Sequence, residues 1–351
     1  MSLLFNKITA SYKDNLPFVC FNKPNSDTLK GYFEKTDALN FSGSFIEKGF
    51  VFAPFNNEYP AVVFLNETSE ILEETFIKNS QINSNKEHQI IFSDKQNHLN
   101  LVQKGINAIK NGAFKKVVLS RKEILKFSSL DIIQTFKRLL QKYDNAFVYV
   151  WFHPKVGLWM GATPERLVTL SNGTFHTMAL ASTQKFEGNM NPIWEEKEKN
   201  EHQYVVDYIV SQIKDQQNGI ILKKFTVSDT YTVKAGNLLH LKADIKGEIG
   251  EFNLNNLLDT LHPTPAVCGL PKEAAKSFIL SNENYNRTYY TGFLGEININ
   301  SNTELFVNLR CVEIIDGKAV IYVGGGITKD SNAAKEWLET CNKSQTIKSV
   351  I

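Results

Sequence analysis

The stretch AFVYVWFHPKVGLWMGATPERLVTLSNGTFHTMAL (146–180) decides how this chain folds. AFVYVWF (146–152) and VGLWMGA (156–162) are apolar runs of strand length, joined at Pro154-Lys155. LVTL (167–170) and FHTMAL (175–180) flank Asn172-Gly173, two residues that tolerate positive φ and so suit a tight hairpin. Each of these two strand pairs, closed by a short turn, is expected to be antiparallel. Working outward, Leu99, Val102, Ile106 and Ile109 follow helical spacing and stop at Gly112, and VVLS (117–120) reads as a strand. Ile132, Ile133, Phe136, Leu139 and Leu140 mark a second helix, and a charged helix is expected over about 192–217. Strands are expected at 220–227, 238–247, 289–299, 304–314 and 318–323. Short helices fall at 254–261 and 271–280, with Pro271 in the first turn of the latter, and a final helix runs from about 331. Before this region, FVCF (18–21), GFVFAPF (49–55) and AVVFL (61–65) read as strands of a β-rich section, and the polar NSQINSNKEHQ (79–89) reads as a linker or loop. Hairpin-linked strands with helices between them predict an α/β fold with large, mostly antiparallel sheets.

Length and charge narrow the possibilities. A chain of 351 residues gives a soft prior of about two domains. Its 39 basic and 37 acidic residues leave a net charge of +2, which offers no strong electrostatic case for nucleic acid or an anionic membrane. Cys20, Cys268, Cys311 and Cys341 are scattered, suggesting neither a zinc site nor a disulfide framework. The N-terminus MSLLFNKITASYKD lacks the pattern of a signal peptide, and the apolar runs are too short to span a bilayer. The expectation is a cytoplasmic protein.

Four constellations could carry chemistry. Glu198 and Glu201, and again Glu336 and Glu339, are spaced three apart on expected helices, so each pair shares a helical face. Facing each other, they would make an all-oxygen site suited to Mg²⁺. Taken alone, such pairs are as well explained by solvated faces, and Glu198 lies in the charge-rich EEKEKNEH (195–202). A di-iron bundle is disfavoured because its helical Glu-x-x-His motifs are absent. LHPTPAVCGLP (261–271) is a stiff, irregular loop, and YVGGGIT (322–328) places Gly324, Gly325 and Gly326 after a strand, where backbone amides could approach an anion. Lys116, Glu165 and Arg310 are isolated charges in strand contexts. Each alone reads as a surface charge; together with the two loops they suggest a site for a polyanionic small molecule.

The ordered blocks KVVLSR (116–121), GATPERL (161–167), ALAST (179–183), KEKNEH (197–202), HLKADIKG (240–247), LHPTPAVCGLP, RTYYTGFLG (287–295), LFVNLRCVEI (305–314) and GGGITKDSNAAKEWLETCNK (324–343) resemble the chorismate-utilising enzymes. The resemblance covers 97–351. It implies a single large α/β domain of two mostly antiparallel sheets with helices outside. On this reading residues 1–95 are expected to form a variable β-rich section packed on the same domain, and 96–351 the catalytic region. It further implies a Mg²⁺-dependent reaction on chorismate. Glu201 and Glu339 match direct metal ligands, and Glu198 and Glu336 match acids acting partly through water. Arg310 and Gly324–Gly326 match the grip on the side-chain carboxylate, His240 a substrate-contacting histidine, and Lys343 a lysine beside the metal helix. Ser182 and Thr183 match the segment holding the ring carboxylate, although Ser182 replaces the family's usual Gly. Thr288 also replaces a Gly, Asn308-Leu309 replace Ala-Ile, and Cys268 sits at a small-residue position.

Within the family, the nucleophile separates the branches. Lys116 stands where water-using members carry their general base and anthranilate synthases typically carry Gln; Glu165 stands at the general acid. A lysine base needs a pKa far below its free value, and the glutamic acid needs a raised one. Ala181 stands where aminodeoxychorismate synthases often carry a nucleophilic lysine. The tryptophan-binding LLES-type motif and a fused amidotransferase section are absent. These features imply isochorismate synthesis, feeding menaquinone or siderophore production. Salicylate synthase is the nearest alternative; a non-catalytic chorismate-binding protein is the alternative from another class. The resemblance also implies a monomer, and one large domain rather than two.

Overall fold

The computed structural model describes residues 2–77, 89–126, 130–215, 222–250 and 252–351. Two ten-stranded sheets dominate it, and every strand pairing is antiparallel. The first sheet runs in the order Gly269–Leu270, Lys116–Lys126, Lys318–Ile327, Cys311–Ile315, Gly157–Thr163, Phe147–His153, Phe18–Asn22, Thr28–Phe33 and Glu70–Thr75, with Gln89–Ser93 also paired to Lys116–Lys126. The second runs Leu222–Val227, Leu238–Ile249, Thr174–Lys185, Arg166–Ser171, Asn302–Val307, Phe293–Ile299, Gly49–Ala53, Ala61–Leu65 and Phe41–Ser42, with Tyr231–Ala235 paired to Leu238–Ile249. Seven helices lie among the described residues: α1 (Leu3–Lys13), α2 (Lys95–Lys110), α3 (Ile132–Lys142), α4 (Glu196–Lys214), α5 (Leu254–Leu261), α6 (Lys272–Asn282) and α7 (Ala333–Lys348).

The run at 146–152 shows why its strand has no polar face. Phe147, Tyr149 and Trp151 point into an aromatic layer between the sheets, with Phe21, Phe52, Trp159 and Phe306. Val148, Val150 and Phe152 point the other way, onto α1 and α3. Alternate side chains leave opposite faces of a strand, so a strand buried on both sides reads as continuous apolar sequence. Helices α4 and α5 cover the outer face of the second sheet through Val205, Ile209 and Leu257. Helices α2 and α6 pack around Val117 and Leu119. The Asn172-Gly173 turn has φ of 49° and 73°, as its residues demand.

The structure departs from the sequence reading at several places. Helix α1 is additional; Leu4, Phe5 and Ile8 form one buried face, and Ser2 caps it by accepting from Phe5 N. The expected strand at 304–314 is two strands in different sheets, because the chain turns at Asn308–Arg310, where Arg310 adopts φ 49°. No glycine or proline marks that break. The three glycines do not form a loop nest after a strand. They lie inside Lys318–Ile327, paired with Ser120, Leu119 and Val118. The expected linker at 79–89 lies outside the described residues except for Gln89, which opens a strand.

Candidate active site

A buried pocket forms where Lys318–Ile327, Thr174–Lys185 and Leu238–Ile249 meet the inner faces of α4 and α7. Its wall includes Glu165, Ser182, Thr183, Glu201, His240, Arg310, Gly324, Gly325, Gly326, Glu339 and Lys343. The structure therefore gathers residues spread over 179 positions of the chain into one cavity of about 70 Å³. Small-molecule sites usually run to several hundred Å³.

On one side stands Arg310. Its backbone is in the left-handed region, and its guanidinium is buried. One nitrogen donates to Thr346 Oγ1 at 3.2 Å and another approaches His240 Nε2 at 3.3 Å. No carboxylate pairs with it among the described residues. His240 Nδ1 lies 2.9 Å from the Ser182 carbonyl, which can only accept, so Nδ1 carries the proton and Nε2 offers its lone pair to Arg310. Burial, then the charges of Arg310 and Lys343, lower the His240 pKa to about 3, and the ring is neutral. Burial also lowers Arg310 to about 10, so it remains cationic near neutrality. A buried guanidinium without a counter-ion is a receptor for an anion, which it can bind bidentately.

The strand Thr174–Lys185 bulges at this point, its register shifting between Ala181 and Gln184. Ser182 forms the bulge with φ 62°, a conformation that costs an L-residue about 1 kcal/mol or more. Its hydroxyl donates to the Glu198 carbonyl at 2.6 Å, tying the bulge to the first turn of α4. The family's usual glycine is therefore explained by backbone geometry, and this chain meets the requirement with a strained serine.

On the other side stand the acids. Glu201 pairs with Lys116 at 3.2 Å, Glu336 with Lys197 at 2.6 Å and Glu339 with Lys343 at 2.6 Å. Burial opposes the charge of Glu201, but Lys116, Lys197 and Lys343 together hold its pKa below the ordinary value. Burial and neighbouring Glu339 push Glu336 up to about 7 against the pull of Lys197. Glu198 is used differently: as the third residue of α4 it accepts from Glu195 N at 2.7 Å and from Gln184, completing a capping box. The glycine strand is the floor beneath these acids. A Cβ on Gly326 would stand 2.0 Å from Glu201 Oε1, and one on Gly325 would stand 3.4 Å from Glu336 Oε2 and 3.6 Å from Glu339 Oε1.

Whether these residues fit Mg²⁺ can be judged from the same contacts. Glu336 Oε2 is buried with no hydrogen-bond partner, and the carboxylates of Glu336 and Glu339 converge over one glycine. The donors are all oxygen, as Mg²⁺ prefers. Among the described residues, no three acidic, histidine or cysteine groups already stand at metal-centre spacing. The donor chemistry suits the ion, although three of the acids are paired with lysines.

Glu165 and Lys116 complete the arrangement. Burial raises the Glu165 pKa to about 8, against the opposing charges of Lys116, Lys343 and Arg310, so the carboxyl holds its proton at neutral pH. Lys116 is fully buried, and its Nζ meets Glu201 without hydrogen-bond geometry. It is not part of the cavity wall; it lies beneath Gly326, whose Cβ would come within 3.1 Å of Lys116 Cε. Two further participants escaped the sequence reading. Lys197 sits in a charge run that looks solvated, although it is spaced four residues before Glu201. Tyr290 lines the wall from RTYYTGFLG and carries no distinguishing sequence signal.

Two antiparallel sheets enclosing an uncompensated arginine, a protonated glutamic acid and a ring of lysine-balanced carboxylates define a receptor for a small anion with acid–base groups at hand. A family profile described as chorismate binding enzyme matches residues 56–351, and the chain belongs to that family. It is 27% identical over 260 residues to the salicylate biosynthesis isochorismate synthase of Pseudomonas aeruginosa, covering 71% of this chain and 53% of that one. It is 27% identical over 277 residues to isochorismate synthase DhbC of Bacillus subtilis, covering 72% and 67%. The chain thus matches about half the length of the former relative. The menaquinone-specific isochorismate synthase MenF of Escherichia coli superposes with a TM-score of 0.78 at 19% identity, covering 95% of this chain and 88% of that one, which shows the shared fold.

Proposed function

We propose that this chain converts chorismate to isochorismate with Mg²⁺ bound; the reading is supported by relatives that are named isochorismate synthases. The observation that carries this reading is one pocket that brings buried Glu165 and unpaired Arg310 together with Glu201 and Glu339, with Lys116 beneath its glycine floor. In the reaction, water forms a bond to ring carbon 2 while the ring double bond shifts and the carbon–oxygen bond at carbon 4 breaks. Lys116 is the residue assigned to take the proton from the attacking water. Glu165 gives its proton to the departing hydroxyl, which leaves as water, so atoms and charge balance and the net change is an isomerisation. Arg310 grips a substrate carboxylate, and neutral His240 orients that guanidinium through Nε2. Ser182 and Thr183 present the bulged backbone to the second carboxylate. Glu201 and Glu339, supported by Glu336 and Glu198, would hold Mg²⁺, which when bound supplies charge neutralisation for a substrate carboxylate.

Water attack requires the base; substrate capture does not. Lys116→Ala should therefore lose turnover by about a hundredfold or more while still binding chorismate in the presence of Mg²⁺, as read by calorimetry. Turnover at the wild-type rate would remove Lys116 from its role.

A further inference from the structure

Three of the four acids expected to hold metal are already paired with a lysine, and the three lysines differ in their freedom to leave. Lys116 has a side-chain exposure of 0% and lies beneath the glycine floor. Lys343 is 16% exposed and is held twice, by Glu339 Oε1 and by the Gly324 carbonyl at 3.0 Å. Lys197 is 25% exposed and has a single anchor, Glu336 Oε1. Lys197 therefore combines the greatest exposure of the three lysines with a single anchor. The acids otherwise face each other in a buried place, where uncompensated like charges are costly.

We propose that Lys197 is a resident counter-ion: it balances the carboxylate cluster of the metal-free protein and swings out to solvent when a divalent cation binds. The inference rests on the metal reading given above and deepens it. An ammonium and a divalent cation compete for the same oxygens, so the lysine weakens metal binding in exchange for a stable metal-free fold. Lys197 is then a positioning residue that sets the metal concentration at which the site fills.

The test is calorimetric titration of the full-length chain with MgCl₂, comparing wild type with Lys197→Met and Lys197→Gln. Both substitutions should tighten Mg²⁺ binding by roughly tenfold, since a competing charge has been removed. A second readout follows the lysine itself: amine-reactive labelling of Lys197 in the wild type, quantified by mass spectrometry, should rise when Mg²⁺ is added. Equal or weaker Mg²⁺ binding in both variants would overturn the proposal, as would Lys197 labelling indifferent to Mg²⁺. Absence of Mg²⁺ binding in wild type and variants alike would overturn the metal reading and this inference with it. Wild-type binding that the substitutions leave unchanged would overturn this inference alone.

Discussion

At the scale of single residues, the site depends on burial setting charge states that solvent would not allow. Glu165 is a carboxyl whose pKa is raised to about 8 because desolvation exceeds the pull of three nearby cations. Its acid form is therefore present below about pH 8 and is lost as pH rises through that value. Turnover should fall by about tenfold per unit above it, as seen in a pH–rate profile. Glu165→Gln should lower the rate by about 10²–10⁴-fold and abolish that alkaline limb, because an amide has no proton to give or lose. A Gln variant that retained the limb would reassign it to another group. Ser182 shows a different limit. The residue's identity is plain in the sequence, and so is its departure from the family's glycine, but its φ of 62° and its bond to the Glu198 carbonyl are products of the bulge. Arg310 is similar: its type was legible, whereas the turn that aims it lies in a segment that carries no glycine or proline to mark it.

At the scale of elements, the clearest information came from periodicity. The hairpin at Asn172-Gly173, the amphipathic α2 and α3, and the doubly buried strand Phe147–His153 follow from local patterns whose physical cause is local. The glycine run was misread because its reason is not local. A strand of three glycines leaves a floor without side chains, and the space above is filled by acids arriving from α4 and α7. Gly326→Ala tests this directly. Its methyl would collide with the end of Glu201, a flexible side chain that can move aside, while the backbone φ needs no glycine. The variant should keep its fold and its circular dichroism spectrum but lose about a hundredfold or more in turnover, since the Glu201–Lys116 pair would be displaced. Activity within a few-fold of wild type would show that the bare floor is not required.

At the scale of the whole molecule, the two sheets are held together by aromatic side chains, and the site sits where that layer gives way to charge. The first seventy-five residues complete both sheets: Phe18–Asn22 pairs with Phe147–His153, and Gly49–Ala53 pairs with Phe293–Ile299. Trp159 lies at the centre of the layer, stacked on Tyr322 with ring centroids 5.4 Å apart. Trp159→Ala should cost about 3–5 kcal/mol in a denaturant titration. Trp159→Phe should cost much less, because the indole Nε1 makes no hydrogen bond to lose. The near-neutral total charge offered no strong electrostatic case for nucleic acid or an anionic membrane, but it could not reveal the balanced acids and lysines inside, since a sum of +2 is blind to opposition at a few ångströms. Likewise no helix among the described residues is long and apolar enough to cross a membrane. The central claim concerns chemistry, and one measurement reaches it most directly: incubate the purified chain with chorismate and Mg²⁺, without ammonia, and identify the product by mass spectrometry and NMR. The account predicts isochorismate as the released product. Salicylate with pyruvate, or unchanged chorismate, would each contradict it.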